Sequence, residues 1–460
     1  MATEYKLPFQ LSDPSILHFD SFVNNTWVKS ASNEHFEIID PGTALPWGAC
    51  PTFQATDVDS AVQAAHAAFT TYKTTTPLQR SQWLTNWDQL IRTHKADLSQ
   101  IITHETGKPL SESLSEIDYA CSFTRWFAGE AERISGTIST PAVPGRRILT
   151  IKQPIGVSVA LVPWNFPVAM VLRKAGAALA AGCTMIVKPS PETPVSTLAV
   201  AYLAMQAGFP AGVFNVLTTD LGSTPSLSEA LCRHELVKKV TFTGSTRVGK
   251  LIARHCSAGL KKVTLELGGN CPFLVFEDAD LEGAVGALMG LKWRHAGQAC
   301  ITANRVYVQR GVYEAFAGLL RERTRGGVEK AEAQVEDAKM LGAKVILGGG
   351  RVQGEKGYFF QPTILTGMTR EMAVSREESF APLAALYVFD TEEEAVQVAN
   401  DTSMGLASYA FTRDADRLWR LFENLEAGME SGYGKESGKE VAVNEYLVTK
   451  TGTLTVQGHY

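Results

Sequence analysis

Residues 156–187, GVSVALVPWNFPVAMVLRKAGAALAAGCTMIV, decide the fold of this chain. They begin with an apolar run at 156–162, continue through a helical pattern from 168 to 179 and end in a second apolar run at 184–187. Two short apolar strands joined by a helix are typical of a parallel sheet that is buried on both faces. The stretch therefore predicts the first unit of a doubly wound α/β domain.

The same alternation continues along the chain. A helical pattern at 197–207 separates the first unit from apolar runs at 213–217 and 240–242. Beyond residue 266, strands are predicted at 273–276, 305–308 and 384–389, and a helix at about 392–399 follows the last of them. The expected fold class is α/β, with two doubly wound parallel-sheet domains.

A small β element is expected beside the two domains. Residues 137–153 have an extended pattern, and the tail from 444 to 456 alternates and is rich in β-branched residues, which is typical of a strand that needs a partner. The expected division of the chain is 1–136 with 154–265 in the first domain, 266–440 in the second, and 137–153 with 441–460 in the β element.

Composition excludes several classes of protein. The chain has 460 residues, 45% of them hydrophobic and 20% charged, as in soluble globular proteins with more than one domain. Its net charge of −5 gives no electrostatic reason to expect nucleic acid or an anionic membrane as a partner. We find no apolar run close to the roughly 20 residues that cross a bilayer.

The amino terminus and the cysteines predict a cytoplasmic protein. Residues 1–22 have neither the apolar stretch of a signal peptide nor the Arg-rich character of a transit peptide. The seven cysteines are scattered and form no C-x-x-C pair, which argues against a disulfide framework or a structural zinc site. We expect reduced thiols and no metal.

Three residues have the side chains needed for acyl chemistry. Cys300 ends the segment RHAGQAC, Glu266 begins ELGG, and Asn165 lies in WNFP. A thiol nucleophile, a carboxylate base and an amide donor together form a thioester site if they converge in space. Taken singly, Cys300 is more typical of a core thiol, Glu266 of a surface carboxylate and Asn165 of a turn residue.

Two segments after predicted strands have features of a phosphate site. Residues 242–250, FTGSTRVGK, resemble a P-loop, but Leu251 stands where a P-loop has Ser or Thr. The remaining interpretations are a helix amino terminus whose glycines admit a pyrophosphate, or a helix start without a ligand. Lys188 follows another strand, at the carboxyl end where cofactors bind parallel sheets, although a lone lysine is more often a solvated charge.

Together, these motifs resemble one known family. PWNFP, KPS, FTGS, ELGG and GQAC, which begin at residues 163, 188, 242, 266 and 297, have the order and spacing of the aldehyde dehydrogenase superfamily. The resemblance extends over nearly the whole chain, and within the superfamily it is greatest to succinate-semialdehyde dehydrogenases. It implies that the first domain binds the cofactor, that the second is catalytic, and that the β element joins subunits into a homodimer or homotetramer.

The resemblance assigns the catalytic roles. Cys300 would attack the aldehyde carbon, and the Asn165 amide with the Cys300 backbone N–H would stabilise the oxyanion. Hydride transfer to NAD or NADP would leave a thioester, and Glu266 would activate the water that hydrolyses it. Glu436 matches a carboxylate that assists this hydrolysis in relatives.

The resemblance also assigns residues that bind the cofactor, but it does not decide between NAD and NADP. NAD-preferring relatives often have Glu three places after the lysine, where this chain has Pro191. The absence of that carboxylate indicates that NADP is accepted, unless Glu192 takes its place and restores a preference for NAD. The implied cofactor-binding residues are Trp164, Lys188, Gly244, Ser245, Gly249, Glu378 and Phe380.

Two arginines predict the substrate. Arg173 and Arg294 match the positions that bind the far carboxylate in succinate-semialdehyde dehydrogenases, and a guanidinium suits that task. The alternative is two surface arginines. The implied reaction is oxidation of succinate semialdehyde, a small aldehyde that carries a carboxylate, as in γ-aminobutyrate degradation. Thr302 stands where some relatives have a second cysteine, so no redox switch is expected there.

The chain departs from its relatives in three places. Roughly twenty residues are absent after Arg325, and roughly twenty more after Met429, where relatives have a strand and a substrate loop. Phe380 is followed by Ala381 where relatives have Gly. The alternatives are therefore an impaired or truncated relative that still binds NAD(P), an acyl-transfer enzyme or esterase, and a structural protein.

Overall fold

A computed structural model describes residues 5–324, 330–402, 405–426 and 439–455. The strands, in chain order, are β1 Ser21–Val23, β2 Thr26–Val28, β3 His35–Asp40, β4 Leu45–Pro51, β5 Ile138–Ser139, β6 Arg146–Pro154, β7 Val157–Leu161, β8 Thr184–Lys188, β9 Phe214–Val216, β10 Val237–Thr243, β11 Lys262–Glu266, β12 Cys271–Val275, β13 Ala303–Gln309, β14 Lys344–Leu347, β15 Thr363–Thr366, β16 Leu383–Phe389, β17 Tyr409–Phe411 and β18 Leu447–Thr455.

Helices connect most of these strands. They are α1 Val58–Tyr72, α2 Pro77–Thr93, α3 Lys95–Thr106, α4 Leu110–Ala131, α5 Pro167–Ala181, α6 Pro194–Gln206, α7 Thr224–Arg233, α8 Thr246–Ser257, α9 Leu281–Lys292, α10 Tyr313–Arg323, α11 Lys330–Met340, α12 Ala373–Arg376, α13 Glu392–Asn400, α14 Ala415–Asn424 and α15 Lys439–Ala442.

The first sheet has the order β11-β10-β7-β8-β9-β1-β2. The strands from β7 to β11 pair in parallel, as the apolar runs predict, and every residue of β7, β8 and β9 is buried. Helix α5 is also buried along its whole length, since only Arg173 and Lys174 among its residues are charged. The α/β prediction is confirmed, except that β1 and β2 add an antiparallel edge.

The strand order of this sheet creates a crevice. Strands β8 and β9 extend from one side of β7, while β10 and β11 extend from the other. In such a sheet, ligands bind beyond the carboxyl ends of the strands at the point where the winding reverses. Lys188 ends β8, Glu266 ends β11 and Gly244 follows β10, so three residues singled out from the sequence lie at this edge.

The second sheet has the order β14-β15-β16-β13-β12-β17. Its predicted strands at 273–276, 305–308 and 384–389 correspond to β12, β13 and β16, which pair in parallel. Strand β14 is antiparallel to β15, which the sequence pattern did not predict. Only the four residues 267–270 separate β11 from β12, so the chain passes directly from the first sheet to the second beside the crevice.

The third sheet pairs the two extended segments that the sequence left without partners. Strand β18 runs antiparallel to β6 from Leu447 opposite Pro154 to Thr455 opposite Arg146, and β5 covers the other edge of β6. All seven cysteines are free thiols. Among the described residues, no helix is long and apolar enough to cross a membrane, and no cluster of metal-ligating side chains occurs.

Candidate active site

A left-handed turn positions Cys300. His295, Ala296 and Gly297 have φ values of 49°, 51° and 75°, between the end of α9 and the start of β13. Positive φ is costly for residues with a Cβ, and such strain persists only where the surroundings enforce it. A Cβ on Gly297 would lie 2.2 Å from the Ala381 carbonyl oxygen, so this turn packs tightly against the 378–382 segment.

Asn165 comes from the opposite side of the crevice. It lies in the loop between β7 and α5, and its Nδ2 donates a 2.8 Å hydrogen bond to the backbone carbonyl of Gln298. The structure therefore brings the amide together with the segment that leads to Cys300. An Asn amide has two N–H groups, so the second is available to a substrate oxygen.

Two carboxylates lie near the thiol. Glu266 is 5% exposed at the end of β11, and Glu378 accepts a 3.2 Å hydrogen bond from the Gly269 N–H. A Cβ on Gly268 would lie 2.6 Å from Glu378 Oε2, so the Glu378 carboxylate packs directly against the backbone of this glycine. Glu266 thus belongs to the ELGG segment and Glu378 bonds to it, whereas the sequence analysis associated only Glu266 with this segment.

The surroundings of Cys300 disfavour its thiolate. Burial raises the pKa of the thiol to about 11, and the charges of Glu378 and Glu266 act in the same direction, whereas Arg173 lowers the pKa. At neutral pH the thiol is therefore protonated, and attack on a carbonyl requires a base that removes the proton. Glu266, Glu378 and Arg173 therefore all lie within electrostatic range of Cys300.

The helix start after β10 fits a phosphate group. Ser245 caps α8 and accepts a hydrogen bond from the Val248 N–H. A Cβ on Gly249 would lie 2.4 Å from Leu267 Cδ2, so α8 packs closely against the Leu267 side chain at this glycine. The buried Thr243 hydroxyl has no hydrogen-bond partner in the described structure, which leaves it free for a ligand. Helix N–H groups, small residues and an unused hydroxyl form a suitable cradle for a pyrophosphate.

Lys188 and the aromatic residues lie at the same edge. Lys188 is 5% exposed, and burial lowers its pKa to about 8 although Glu192 opposes the shift. The rings of Trp164 and Phe380 are 5.8 Å apart, edge to face, so these two cofactor candidates meet across the crevice. The residues present at this edge therefore fit a dinucleotide.

The two arginines have different environments. Arg173 is 9% exposed on α5, and its guanidinium lies 5.6 Å from the centre of the Phe123 ring. Arg294 is exposed, and its guanidinium lies 5.4 Å from the centre of the Phe166 ring. A buried cation is screened less by water, so Arg173 is the stronger candidate for a substrate carboxylate.

Several polar residues of the site were not found from the sequence. Lys108, Glu112 and Glu116 contact the loops that carry Asn165 and His295. Lys292 is fully buried and donates to Asn304 Oδ1 at 2.9 Å, and burial lowers its pKa to about 7. The i, i+4 spacing of Glu112 and Glu116 indicates one helical face, but no sequence pattern indicates that this face is buried.

One predicted residue and two junctions lie outside the described residues. They are Glu436, the junction after Arg325 and the junction after Met429. Ala381, which replaces Gly at the third departure, is 2% exposed. Positive φ occurs instead at Phe380, where φ is 42°, so the replacement at 381 causes no backbone strain of this kind.

The environment of Cys300 predicts its reactivity. Without cofactor, alkylation by iodoacetamide should accelerate about tenfold per pH unit between about pH 7 and 10, because the thiolate fraction still rises below the pKa. Glu378→Gln should accelerate alkylation at about pH 8, because it removes a charge that raises this pKa. Mass spectrometry of the Cys300 peptide measures both rates.

The exposed Glu336 provides the matched control, since Glu336→Gln removes a carboxylate that pairs with Lys339 on the surface. That variant should alkylate at the wild-type rate. A wild-type rate that levels off near neutral pH would contradict the burial of the thiol. The other six cysteines are buried, which keeps the measurement specific to Cys300.

Comparison with known proteins identifies the family. The profile of the Aldehyde dehydrogenase family matches residues 27–328 and 324–442. Succinate-semialdehyde dehydrogenase [NADP(+)] of Saccharomyces cerevisiae is 42% identical over 491 aligned positions, with 98% of each chain covered. The 3-sulfolactaldehyde dehydrogenase of Pseudomonas putida is 43% identical over 481 positions, covering 96% of this chain and 98% of that protein.

A solved structure agrees with these relatives. The crystal structure of succinate-semialdehyde dehydrogenase from Burkholderia pseudomallei superposes with a TM-score of 0.92 at 38% identity, covering 97% of this chain and all of that chain. The yeast alignment spans 491 positions and this chain has 460 residues, so the chain lacks positions that the yeast protein has. The two segments that the family profile matches overlap at residues 324–328, which is where the first gap is predicted. The chain belongs to the aldehyde dehydrogenase family.

Proposed function

We propose that this chain oxidises succinate semialdehyde to succinate with NAD(P)⁺, as in γ-aminobutyrate degradation. The observation that carries the proposal is the convergence on Cys300 of three kinds of group. They are the Asn165 amide, which is bonded to the preceding segment, the carboxylates of Glu266 and Glu378, and the Arg173 guanidinium. This set is the one that thioester chemistry on a carboxylate-bearing aldehyde requires.

Cys300 and Glu266 carry the covalent steps. Glu266 takes the thiol proton as Sγ bonds to the aldehyde carbon, and the Asn165 Nδ2 and Cys300 N–H groups donate to the resulting oxyanion. Bound NAD(P)⁺ supplies the hydride acceptor, and the carbon remains on Cys300 as a thioester. Glu266 releases the thiol proton to solvent, takes a proton from the water that attacks the thioester and returns it to Sγ as the C–S bond breaks, so the thiol is restored. Glu436 is proposed to assist this last step.

The substrate assignment depends on an anion at the far end of the aldehyde. Arg173 provides a buried guanidinium near Cys300, and Arg294 provides an exposed one. The names of the yeast and Pseudomonas relatives support this interpretation, because succinate semialdehyde ends in a carboxylate and 3-sulfolactaldehyde in a sulfonate. We propose succinate semialdehyde as the substrate because both arginine positions match those of succinate-semialdehyde dehydrogenases.

NADP⁺ is the proposed acceptor. Lys188 lies at the adenosine end of the crevice and can pair with a 2′-phosphate, while Pro191 provides no carboxylate to repel it. Glu192 is the opposing charge, since it raises the pKa of Lys188 and contacts the Ser190 hydroxyl. The name of the yeast relative includes NADP(+).

The second candidate function is an impaired relative that binds NAD(P) without turnover. The observation that favours it is length, because the yeast alignment requires positions that this chain lacks. We place these gaps after Arg325 and after Met429. The proposed loss after Met429 would remove part of the wall that holds the aldehyde against Cys300.

A homodimer or homotetramer is the proposed assembly. Strand β18 is the edge of the third sheet, and Ile138, Ile151 and Leu454 on this sheet are 73%, 52% and 54% exposed. An exposed edge with apolar residues is suited to pairing with a second copy. Light scattering after size-exclusion chromatography measures the assembly, and a monomer at micromolar concentration would contradict it.

The function is tested by following NAD(P)H absorbance with succinate semialdehyde and purified, folded protein. We expect NADPH formation, and Cys300→Ser should reduce it by several orders of magnitude because the nucleophile is lost. Fluorescence titration with NADP⁺ separates the two candidates. Cofactor binding without turnover supports the impaired relative, and no binding at all contradicts both.

Substitution of the arginines tests the substrate. Arg173→Ala should raise KM for succinate semialdehyde about tenfold or more and KM for butanal less than about twofold, because only the former loses a charge-assisted bond. Arg294→Ala should have the same selectivity but a smaller effect, because the exposed charge is screened. Steady-state kinetics with both aldehydes measures this, and equal effects on the two aldehydes would remove the substrate assignment.

Substitution of Glu192 tests the cofactor. Glu192→Gln should tighten NADP⁺ binding several-fold and change NAD⁺ binding by less than about twofold, because only NADP⁺ places a phosphate dianion near this carboxylate. Glu336→Gln again serves as the surface control. Tighter NAD⁺ binding in the Glu192 variant, with NADP⁺ unchanged, is the outcome that contradicts the assignment.

A further inference from the structure

A buried ion pair supports the loop that carries Asn165. Lys108 Nζ lies 2.5 Å from Glu116 Oε2, and both side chains are fully buried. Lys108 also donates to the backbone carbonyl of Asn165 at 2.7 Å and lies 4.2 Å from the centre of the Phe166 ring. One ammonium group therefore contacts two consecutive residues of the loop.

Glu116 holds the residues that follow. Its Oε1 accepts hydrogen bonds of 3.0 and 3.2 Å from the backbone N–H groups of Val168 and Ala169, in the first turn of α5. These N–H groups have no partner within the helix, and a carboxylate at this end also interacts favourably with the helix dipole. The pair thus fixes the backbone on both sides of Pro167.

The same helix reaches the other half of the site. Glu112, one turn before Glu116 on α4, accepts a 2.6 Å hydrogen bond from the backbone N–H of His295. His295 belongs to the left-handed turn before Cys300. The start of α4 therefore contacts both segments between which the Asn165–Gln298 hydrogen bond forms.

We propose that Lys108 and Glu116 are positioning residues for the oxyanion site, an inference that rests on the proposed roles of Asn165 and Cys300. Both side chains are fully buried and bond to the backbone around Asn165, so they are positioning rather than catalytic residues. Packing alone does not explain the pair, because an apolar pair of similar volume often stabilises a core as well or better. Directional bonds to one carbonyl and two N–H groups instead fix the peptide from which the Asn165 amide projects.

The test is ester hydrolysis, which requires the thiol and the oxyanion donors but no cofactor. Cys300 attacks 4-nitrophenyl acetate, 4-nitrophenolate leaves, and water hydrolyses the acetyl thioester. The variant Lys108→Met/Glu116→Gln removes both charges, and the glutamine keeps an oxygen that can accept from α5. We expect kcat to fall about tenfold and KM to change less than about twofold, because the loss is confined to the transition state.

The distinguishing measurement repeats the change in Asn165→Ala protein. That single substitution should lower kcat by on the order of 10²–10³. If the Lys108–Glu116 pair acts through the Asn165 amide, the double substitution should lower kcat of the Asn165→Ala protein by less than about a further twofold. The reason is that the effects of residues that act as one unit are not additive. Equal effects in both backgrounds, or no effect on kcat in either, would overturn the proposal.

Lys239 provides the matched control, because it is also fully buried and contacts Thr264 instead of the Asn165 loop. Lys239→Met should lower the thermal midpoint while having the same fractional effect on kcat in both backgrounds. If the double variant does not fold, Glu116→Gln alone is measured in the same two backgrounds with the same criterion.

Different outcomes contradict the proposed dehydrogenase function and the proposed positioning role of Lys108 and Glu116. Wild-type protein that hydrolyses the ester but oxidises no aldehyde contradicts the proposed dehydrogenase, and the comparison of backgrounds still decides the role of the pair. Wild-type protein that is folded and hydrolyses no ester overturns the positioning proposal, because there is then no oxyanion site to position.

Discussion

The hydrogen bond from Asn165 Nδ2 to the carbonyl of Gln298 joins the two halves of the crevice. Asn165 belongs to the loop beyond the first sheet, and Gln298 belongs to the turn that leads to the second. Because the donor and the nucleophile come from different sheets, their separation depends on how the sheets are held together. The short connection of residues 267–270 and the contacts of Lys108 and of Glu112 with the two loops provide that constraint.

Burial and nearby charges determine the protonation state of Cys300 in this arrangement. Two carboxylates and a guanidinium act electrostatically on the Cys300 thiol, and burial strengthens such effects. In the protein without cofactor, the carboxylates and burial keep Cys300 protonated. A protonated thiol resists alkylation and oxidation.

The sequence predicts the parallel core of the fold well, because strands buried on both faces leave continuous apolar runs such as 184–187. Residues at the carboxyl ends of these strands could be found for the same reason. The pairing of β1 with β9 and that of β14 with β15 were not predicted, since edge pairing depends on distant contacts. Lys108 and Glu116 were missed because a charged residue in a helical pattern normally indicates the solvent face.

The two arginines show a further difference between pattern and environment. Motif positions suggest equal roles for Arg173 and Arg294, whereas their exposure differs greatly. Exposure depends on the residues that cover a side chain, and the motif contains no information about them.

The central claim is that Cys300 forms a thioester that Glu266 hydrolyses. Its most direct test is mass spectrometry of Glu266→Gln protein after a single turnover with succinate semialdehyde and NADP⁺. The account predicts that the Cys300 peptide gains the mass of one succinyl group and that hydroxylamine removes it. Folded, cofactor-bound protein that forms NADPH without any adduct on Cys300 would contradict the account.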